Sequence, residues 1–213
     1  MKVFIDLCSG TGGASQAFDN APDWSTIKID HIEELLEINR GLVLSDITNV
    51  HATIAIIDNL LQAIRDRYGQ ISKLVIWASP PCNQFSWVNQ QGDNPRRMNQ
   101  TIDDFDWEVI DAIRQIIDYY NPHYWIIENV QGARHLICER LDMPYRQEIG
   151  RIVLWGDFPL IPILDRTQWK HKKTMPIGGR KLRQIYRARI PVGVSEGLLD
   201  AIDRQTTLWQ VGW

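Results

Sequence analysis

Short apolar runs alternate along this chain with amphipathic stretches, and each run ends at a polar residue or a turn. The runs typical of strands are KVFIDL, STIKID, GLVLSDI, KLVIWASP and HYWIIENV. Between them lie an amphipathic segment near Ile32 to Ile38, a helical stretch from Ala52 to Tyr68 and a helix around Asp104 to Tyr120. Strands that alternate with helices predict an α/β fold with a doubly wound, mostly parallel sheet.

Polar residues stand where the predicted strands end. In an open parallel sheet of this kind, ligands bind at the carboxyl ends of the strands. Asp6, Asp30, Asp46 and Glu128 occupy such positions, as does the segment that follows Ala78. We therefore expect the functional site at this edge of the sheet.

Composition restricts the class of protein. The 213 residues are 44% hydrophobic, which is enough for the core of one domain, and we expect a catalytic domain over residues 1–160. No apolar run approaches the ~20 residues of a membrane-spanning helix, and the first residues lack the pattern of a signal peptide, so we expect a cytoplasmic protein. The three cysteines are widely spaced, which predicts free thiols, no disulfide framework and no metal site.

The segment DLCSGTGGAS places Gly10, Gly12 and Gly13 between the first strand and the first helix. Glycines in such a turn let the backbone approach a ligand closely. A tight turn without a ligand is the alternative. A dinucleotide site is disfavoured, because Ala14 and Ser15 follow the two adjacent glycines and break the G-x-G-x-x-G pattern.

Two carboxylates are placed to hold an adenosine-type ligand. Asp30 closes the second predicted strand, where a ribose hydroxyl can be bound, and Asp46 follows the third, near the expected position of an adenine. Either residue taken alone is as well explained as a helix cap or a solvated acid.

The segment ASPPCNQFS follows a β-rich apolar run and contains Cys82. Two prolines stiffen the backbone directly before this cysteine. A buried cysteine is more often inert packing, and we assign that role to Cys138 in HLICERL. Cys82 lies instead in a polar loop at a strand end, where a thiolate can face a substrate.

The three segments DLCSGTGGAS, SPPCNQFS and IIENV, in this order, resemble the adenosylmethionine-binding, catalytic-loop and Glu-Asn-Val motifs of cytosine-5 DNA methyltransferases. The resemblance covers residues 1 to about 160 and returns at IPVGVSEGLLDAI, which is similar to the closing motif whose helix packs beside the cofactor pocket. The short phage- and prophage-encoded members look most similar, since they pass from a strand like RIVLWGDFP to the closing motif with little between.

This resemblance implies a Rossmann-like class I fold, a cytosine-5 methyl transfer and S-adenosylmethionine as cofactor. It implies that Cys82 attacks carbon 6 of cytosine and that Glu128 supplies a proton or hydrogen bond at ring nitrogen 3, which requires a raised pKa. The alternative for Glu128 is a cap of the next helix, and Asn129 is expected to position loops. The implied cofactor-binding residues are Asp6, Cys8, Ser9, Gly10, Gly12, Gly13, Asp30, His31, Asp46, Ile47 and Pro80.

An arginine of the family contacts the target base or its phosphate. Arg151 matches the second arginine of a Gln-x-Arg-x-Arg pattern when Gln147 is aligned with its glutamine, but Ile149 then replaces the first arginine. Arg146 is the matching residue under a shifted alignment, and both assignments stay open.

Basic residues gather in one interval although the net charge is −3. Residues 166–189 contain nine lysines and arginines and no acidic residue, and a phosphate backbone requires such a local basic surface. We expect residues 161–189 to replace a full target-recognition domain and residues 190–213 to form the closing helix. The loop from Ser86 to Asn99 is expected to act as a lid over an extruded base. The alternatives are that this loop is merely solvated and that the basic interval is a solvated linker. The implied DNA-binding residues are Ser86, Arg96, Arg97, Lys170, Lys172, Lys173 and Arg180.

Two other functions compete with DNA methylation. RNA cytosine-5 methylation is disfavoured, because the Cys-Phe-Thr element of that branch is missing. A silent DNA-binding protein with the same fold is disfavoured, because such a protein needs neither Cys82 nor Glu128. We expect a monomer that acts on double-stranded DNA and recognises a short target. The expected role is restriction-modification or a related phage function. The alternative is that a separate specificity or restriction partner reads the sequence.

Overall fold

The computed structural model describes residues 1–85, 102–162, 186 and 188–210. In this part of the chain, seven strands form one sheet: β1 (Lys2–Leu7), β2 (Trp24–Asp30), β3 (Leu42–Leu44), β4 (Lys73–Ala78), β5 (Tyr124–Val130), β6 (Gln147–Ile149) and β7 (Ile152–Asp157). Their order across the sheet is β3-β2-β1-β4-β5-β7-β6. Strands β1 to β5 pair in parallel, and β7 is antiparallel to both of its neighbours. The predicted Rossmann-like, mostly parallel sheet is confirmed.

The helices of the described residues are α1 (Gln16–Asp19), α2 (Val50–Tyr68), α3 (Glu108–Tyr120), α4 (Arg134–Leu141) and α5 (Val192–Gln210). The two long helices predicted before and after the fourth strand are therefore confirmed. The expected amphipathic element near Ile32 to Ile38 is reduced to a 3₁₀ turn at Glu33–Leu35. Only Leu35 there is fully buried, whereas Leu36 and Ile38 are exposed, so the apolar residues of this segment do not form one buried helical stripe.

Helix α3 begins later than the sequence pattern predicts. Asp106 accepts a hydrogen bond from the backbone N–H of Glu108 with its Oδ1 atom at 3.0 Å, which satisfies a free donor at the helix start. The residues Ile102–Asp104 form a separate 3₁₀ turn. A side-chain bond at Asp106 therefore sets the boundary.

The two faces of the sheet are covered by helices from different parts of the chain. Side chains of a strand alternate between faces, so Val3, Ile5 and Leu7 pack on what we call the rear face, with residues of α2, α3 and α4. On the front face, Phe4 packs with Phe18 of α1 and Leu198 of α5. The same alternation turns Asp6 and Glu128 toward the front face.

Helix α5 closes the front face. Val194, Leu198 and Ile202 are at most 3% exposed, and burial of each such side chain contributes about 1.5–3 kcal/mol. An ion pair of 2.8 Å joins Asp203 to Lys2 at the start of β1, and the Tyr124 hydroxyl donates to Gln205 at 2.6 Å. Among the described helices, none is long and apolar enough to cross a membrane.

Candidate functional site

Two turns lie side by side at the carboxyl edge of the sheet. We call residues 8–13, which follow β1, the glycine turn, and residues 79–85, which follow β4, the cysteine turn. Strands β1 and β4 are neighbours in parallel register, with Leu7 paired to Ala78. The backbone N–H of Ser79 donates to the carbonyl of Leu7 at 3.0 Å. The sheet therefore brings the two main sequence motifs together.

The glycine turn winds through left-handed backbone. Cys8, Gly10 and Gly12 have φ angles of 55°, 53° and 70°, a region that a side chain such as that of Cys8 adopts only at a cost. Asp30 fastens this backbone: its Oδ2 accepts from the N–H of Gly10 at 2.9 Å and its Oδ1 from the N–H of Ile32 at 3.1 Å. The structure thus brings Asp30 to the turn, as the sequence predicts, and shows it as a support of the backbone.

Asn39 is a residue of this site that sequence reasoning missed. Its Nδ2 donates to the Ser9 hydroxyl and to the Gly10 carbonyl, both at 3.0 Å, and the side chain is 3% exposed. A Cβ atom at Gly12 would lie 2.8 Å from Asn39 Oδ1, so the amide packs directly against that glycine. No motif marks Asn39, because it lies in an irregular segment and reaches the turn only through the fold.

Asp6 is a buried carboxyl beneath the glycine turn. It is 1% exposed, and the Ser9 hydroxyl donates to its Oδ2 at 2.9 Å. Burial raises the pKa of Asp6 to about 7, although hydrogen bonds from Ser9 and Ser15 act in the opposite direction. Burial also raises the pKa of the neighbouring Cys8 thiol, so that this cysteine is unreactive packing.

The glycine turn has the features of a place for a ligand. The Thr11 hydroxyl is buried among the described residues without a hydrogen-bond partner, which is costly unless a bound group completes it. At Gly13, a Cβ atom would lie 2.5 Å from the Ile190 carbonyl, so the backbone before α5 closes one side of the turn. These residues fit a compact polar ligand such as an adenosine derivative.

Helix α5 is fastened to the helix that follows the glycine turn. Ser195 is 1% exposed; its hydroxyl donates to the Ala14 carbonyl and accepts from the N–H of Ala17 at 3.0 Å. The Arg189 guanidinium donates to Gln16 at 2.7 Å. The closing segment therefore contacts the turn region directly. The resemblance to the closing motif implied packing of this kind, but it did not identify Ser195.

Three other predicted cofactor residues follow β2 or β3 at the same edge of the sheet and differ in their exposure to solvent. Asp46 is exposed and accepts from the N–H and the hydroxyl of Thr48, at 3.0 and 2.8 Å, which lowers the pKa of its carboxyl. Ile47 is buried, and His31 is exposed with its Nδ1 atom 3.6 Å from Asp30. Asp46 is thus a solvated acid that also accepts the Thr48 bonds, and a solvated acid was one of its two alternatives.

The cysteine turn is held at its start by strand β5. Asn129, which is 1% exposed, donates from Nδ2 to the Pro80 carbonyl at 3.1 Å, as its expected loop-positioning role requires. Trp77 Nε1 donates to the Ser79 hydroxyl at 2.8 Å. Pro80 is thereby a buried part of the backbone that leads to Cys82, and Cys82 itself is half-buried.

The charge of Glu128 affects the ionisation of the Cys82 thiol. Glu128 is 7% exposed, and burial raises its pKa to about 7, against the effect of a hydrogen bond from Ser79. Burial also raises the pKa of the Cys82 thiol, and the negative charge of Glu128 raises it further. Near pH 7, therefore, Glu128 is partly protonated and Cys82 is a thiol. Protonation of Glu128 removes a negative charge that disfavours ionisation of the Cys82 thiol. Cys138, in contrast, accepts a hydrogen bond from Trp155 at 3.3 Å on the rear face.

The structure separates the two candidate arginines. Arg151 lies in the turn between β6 and β7, is exposed, and its carbonyl accepts from the N–H of Gln131 at 3.3 Å, at the end of β5. Arg146 donates to the Phe158 carbonyl and lies over the Phe158 ring at 5.6 Å. Of these two residues, Arg151 has its backbone bonded at the end of β5, the strand that carries Glu128.

The predicted DNA contacts are in parts of the chain outside the described residues. These are Ser86, Arg96, Arg97, Lys170, Lys172, Lys173 and Arg180. The proposed lid from Ser86 to Asn99 lies there as well. Across the described ranges, no group of His, Cys, Asp and Glu side chains is arranged to hold a metal ion.

Comparison with known proteins gives concordant matches. The model of the family "C-5 cytosine-specific DNA methylase" matches residues 2–139. The "Probable DNA (cytosine-5)-methyltransferase" of Frog virus 3 (isolate Goorha) is 23% identical over 231 residues, which cover 92% of this chain and 98% of the viral protein. The solved Entamoeba histolytica methyltransferase EhMeth is 16% identical with a TM-score of 0.43, over 67% of this chain and 42% of that one. This chain thus spans less than half of the solved protein.

Proposed function

The chain belongs to the C-5 cytosine-specific DNA methylase family, and we propose that it methylates carbon 5 of cytosine in DNA through a covalent Cys82 adduct. The observation that carries this proposal is the pairing of Cys82 with a buried Glu128 whose pKa is raised to about 7. A glutamic acid that keeps its proton near neutral pH can donate it to a ring nitrogen.

Cys82 supplies the covalent activation. Carbon 5 of cytosine is a poor nucleophile, so the Cys82 thiolate adds to carbon 6, a new C–S bond forms, and the electron pair of the 5,6 double bond moves into the ring. Transfer of the Glu128 proton to nitrogen 3 neutralises this charge and leaves an enamine with a nucleophilic carbon 5. After alkylation, a base takes the carbon 5 proton, the Cys82 thiolate departs to restore the 5,6 double bond, and the nitrogen 3 proton returns to the Glu128 carboxylate.

Glu128 also controls the nucleophile. The thiol proton must leave before attack, and the charged form of Glu128 opposes that loss. Protonated Glu128 removes this repulsion and at the same time presents its acidic proton to the base. One protonation therefore prepares both partners for the same step.

We assign S-adenosylmethionine to the glycine turn, where it would supply an electrophilic methyl group for carbon 5. Thr11 offers an unpartnered hydroxyl, Gly10 and Gly12 give the turn its left-handed backbone, and Asp30 and Asn39 fix that backbone. Asp46 and Ile47, which follow β3 at the same edge, and Pro80 of the cysteine turn are further residues that we assign to the cofactor.

Double-stranded DNA is the proposed partner. A base within a duplex is inaccessible, so the cytosine must be extruded to reach Cys82. We assign Arg151, which follows β6 and whose backbone is bonded at the end of β5, to contact the target base or its phosphate. The basic residues 166–189 provide further phosphate contacts in this proposal.

The test is covalent trapping. Purified protein is mixed with duplex DNA that contains 5-fluorocytosine, with and without S-adenosylmethionine, and the products are separated under denaturing conditions. The fluorine replaces the proton that must leave, so we expect a stable protein–DNA adduct at Cys82 that requires the cofactor. A DNA-binding protein without activity gives no adduct, and trapping on 5-fluorocytidine RNA alone would reassign the substrate.

A further inference from the structure

Gln84 joins the cysteine turn to the start of helix α3 by both atoms of its side-chain amide. Its Nε2 donates to the Asp106 carbonyl at 2.8 Å, and its Oε1 accepts from the Asp106 N–H at 3.0 Å. The two residues are 22 positions apart in the chain. A side chain that pairs with both backbone groups of one residue fixes direction as well as distance.

The partner of Gln84 is itself firmly attached. Asp106 caps α3 through the N–H of Glu108, and the indole of Trp107 donates to the Ile102 carbonyl at 2.7 Å. Helix α3 buries Ile110, Ile113 and Ile116 on the rear face of the sheet. Gln84 therefore connects the cysteine turn to the core of the protein.

Phe85 supports the same connection with an apolar contact. The residue is fully buried, its ring lies 5.3 Å from that of Phe105 at an interplanar angle of 18°, and 5.6 Å from that of Trp107. Stacking of this kind adds apolar contact energy to the connection. The two hydrogen bonds of Gln84 add a defined direction.

These contacts bear directly on Cys82. The Phe85 N–H donates to the Cys82 carbonyl at 3.0 Å, which closes a short turn that contains Gln84. On the other side of Cys82, Asn129 holds the Pro80 carbonyl. The nucleophile thus stands between one arm fixed by β5, the strand of Glu128, and another arm fixed by Gln84.

We propose that Gln84 is a positioning residue that holds the Cys82 sulfur in reach of its target and of Glu128. This inference rests on the proposed methyl transfer for its consequence in catalysis. Gln84 is exposed, so water replaces its hydrogen bonds when they are lost, and the stability of the whole protein changes little. Its loss acts on the geometry of the thiol.

The first arm of the test needs no substrate. Gln84→Ala removes both hydrogen bonds, Gln84→Glu keeps the acceptor for the Asp106 N–H, and Gln62→Ala removes an exposed glutamine that bonds Asp66 on α2 as a matched control. Alkylation of Cys82 by iodoacetamide is followed by peptide mass analysis, with Cys138 as an internal reference. We expect several-fold faster alkylation in Gln84→Ala, an intermediate rate in Gln84→Glu and no change in the control. Equal rates in all four proteins would overturn the proposal.

The second arm measures catalysis. Displacement of a reacting group by about 1 Å costs roughly 100-fold in rate, so we expect kcat of Gln84→Ala to fall about 10- to 100-fold while the KM for DNA, the cofactor Kd and the Tm stay close to wild type. An unchanged kcat, or a loss confined to KM or Tm, contradicts a positioning role. If the wild type itself traps no DNA, the proposed function fails, and the alkylation arm still decides whether Gln84 holds Cys82.

Discussion

The glycine turn and the cysteine turn are neighbours on adjacent strands, but they are stabilised in different ways. In the glycine turn the polar side chains bond both one another and the backbone: Asn39 bonds Ser9, Ser9 bonds Asp6, and Asp30 bonds the backbone N–H of Gly10. In the cysteine turn the supports Asn129 and Gln84 bond backbone groups. In the proposed mechanism the Cys82 sulfur and the Glu128 carboxyl, which also accepts a hydrogen bond from Ser79, act on the substrate. The proposed cofactor turn thus contains a network of bonded side chains, whereas Asn129 and Gln84 hold the proposed reactive turn through backbone groups.

The two buried carboxyls sharpen this comparison. Burial raises the pKa of both Asp6 and Glu128 to about 7. Asp6 has Ser9 and Ser15 around it under a closed turn, whereas Glu128 lies beside the half-buried Cys82. A raised pKa alone therefore does not identify a catalytic acid, and the neighbouring nucleophile makes the distinction.

The largest expected effect is the loss of the nucleophile. Cys82→Ala should abolish methyl transfer and adduct formation, because no other group in the turn can add to carbon 6, while cofactor affinity and Tm stay near wild type. A tritiated-methyl assay measures the transfer, and calorimetry measures cofactor binding. Cys138→Ala is the matched control and should keep full activity. Appreciable turnover by Cys82→Ala would remove this residue from the mechanism.

The next effect concerns the acid. Glu128→Gln keeps the size and a hydrogen-bond donor but has no acidic proton, so kcat should fall by about 10²–10³-fold with little change in DNA affinity. Rapid-quench kinetics and a DNA titration separate the two quantities. Glu148→Gln, which alters a partly buried carboxylate paired with Arg134 at 3.4 Å, serves as the control. A loss that appears only in KM speaks against proton donation by Glu128.

Both carboxyls should make stability depend on pH. Their folded pKa values of about 7 exceed the ordinary values of 3.8 and 4.5, so the folded protein binds the extra protons between these limits. The contribution is fully present below about pH 4 and is lost as the pH rises through 7, by on the order of 2 kcal/mol per carboxyl between pH 5 and 8. Urea unfolding of wild type, Asp6→Asn and Glu128→Gln at several pH values measures this slope. Each substitution should flatten it, and parallel curves would show that neither carboxyl carries the shift.

The smallest effect belongs to the support of the glycine turn. Asn39→Ala removes two buried hydrogen bonds, so the cofactor Kd should rise by about tenfold, equivalent to roughly 1–2 kcal/mol, with kcat at saturating cofactor little changed. Calorimetry gives the Kd. Asn20→Ala, which loses one exposed bond to the Gln16 carbonyl at 3.0 Å, is the control. Equal cofactor affinities in the two variants would restrict Asn39 to a role in folding.

Local pattern predicted much of this molecule. Strand β1 with its glycine turn, β4 with Cys82 and β5 with Glu128 are each contiguous in sequence, so alternation and motif spacing were sufficient to place them. The parallel sheet then brings their ends together without further information. Helix α2 was predictable for the same reason, since its apolar residues recur at helical spacing and Asn49 caps its start.

Contacts between distant residues could not be predicted in this way. Asn39 and Gln84 bond backbone atoms of segments 29 and 22 residues away, and such a bond leaves no local pattern. The segment from Ile32 to Ile38 was predicted to be amphipathic from its pattern of apolar residues. In the structure Leu35 is buried in the core, whereas Leu36 and Ile38 are exposed to solvent. The pairing of Arg146 with Phe158 likewise depends on the turn of the chain after β7.

Helix α5 follows all seven strands in sequence, and this order determines when the front face of the sheet can be covered. Ser195 meets Ala17 across 178 residues of sequence, and Ile190 provides the wall against Gly13. During translation, Phe4, Val75 and Ile126 on the front face therefore stay uncovered by α5 until residues 190–210 have left the ribosome, a period in which proteins with long-range sheet contacts are prone to aggregate. A chain truncated before residue 190 would contain Cys82 and Glu128 but would lack the Ile190 backbone that closes one side of the glycine turn. We therefore expect such a fragment to be inactive.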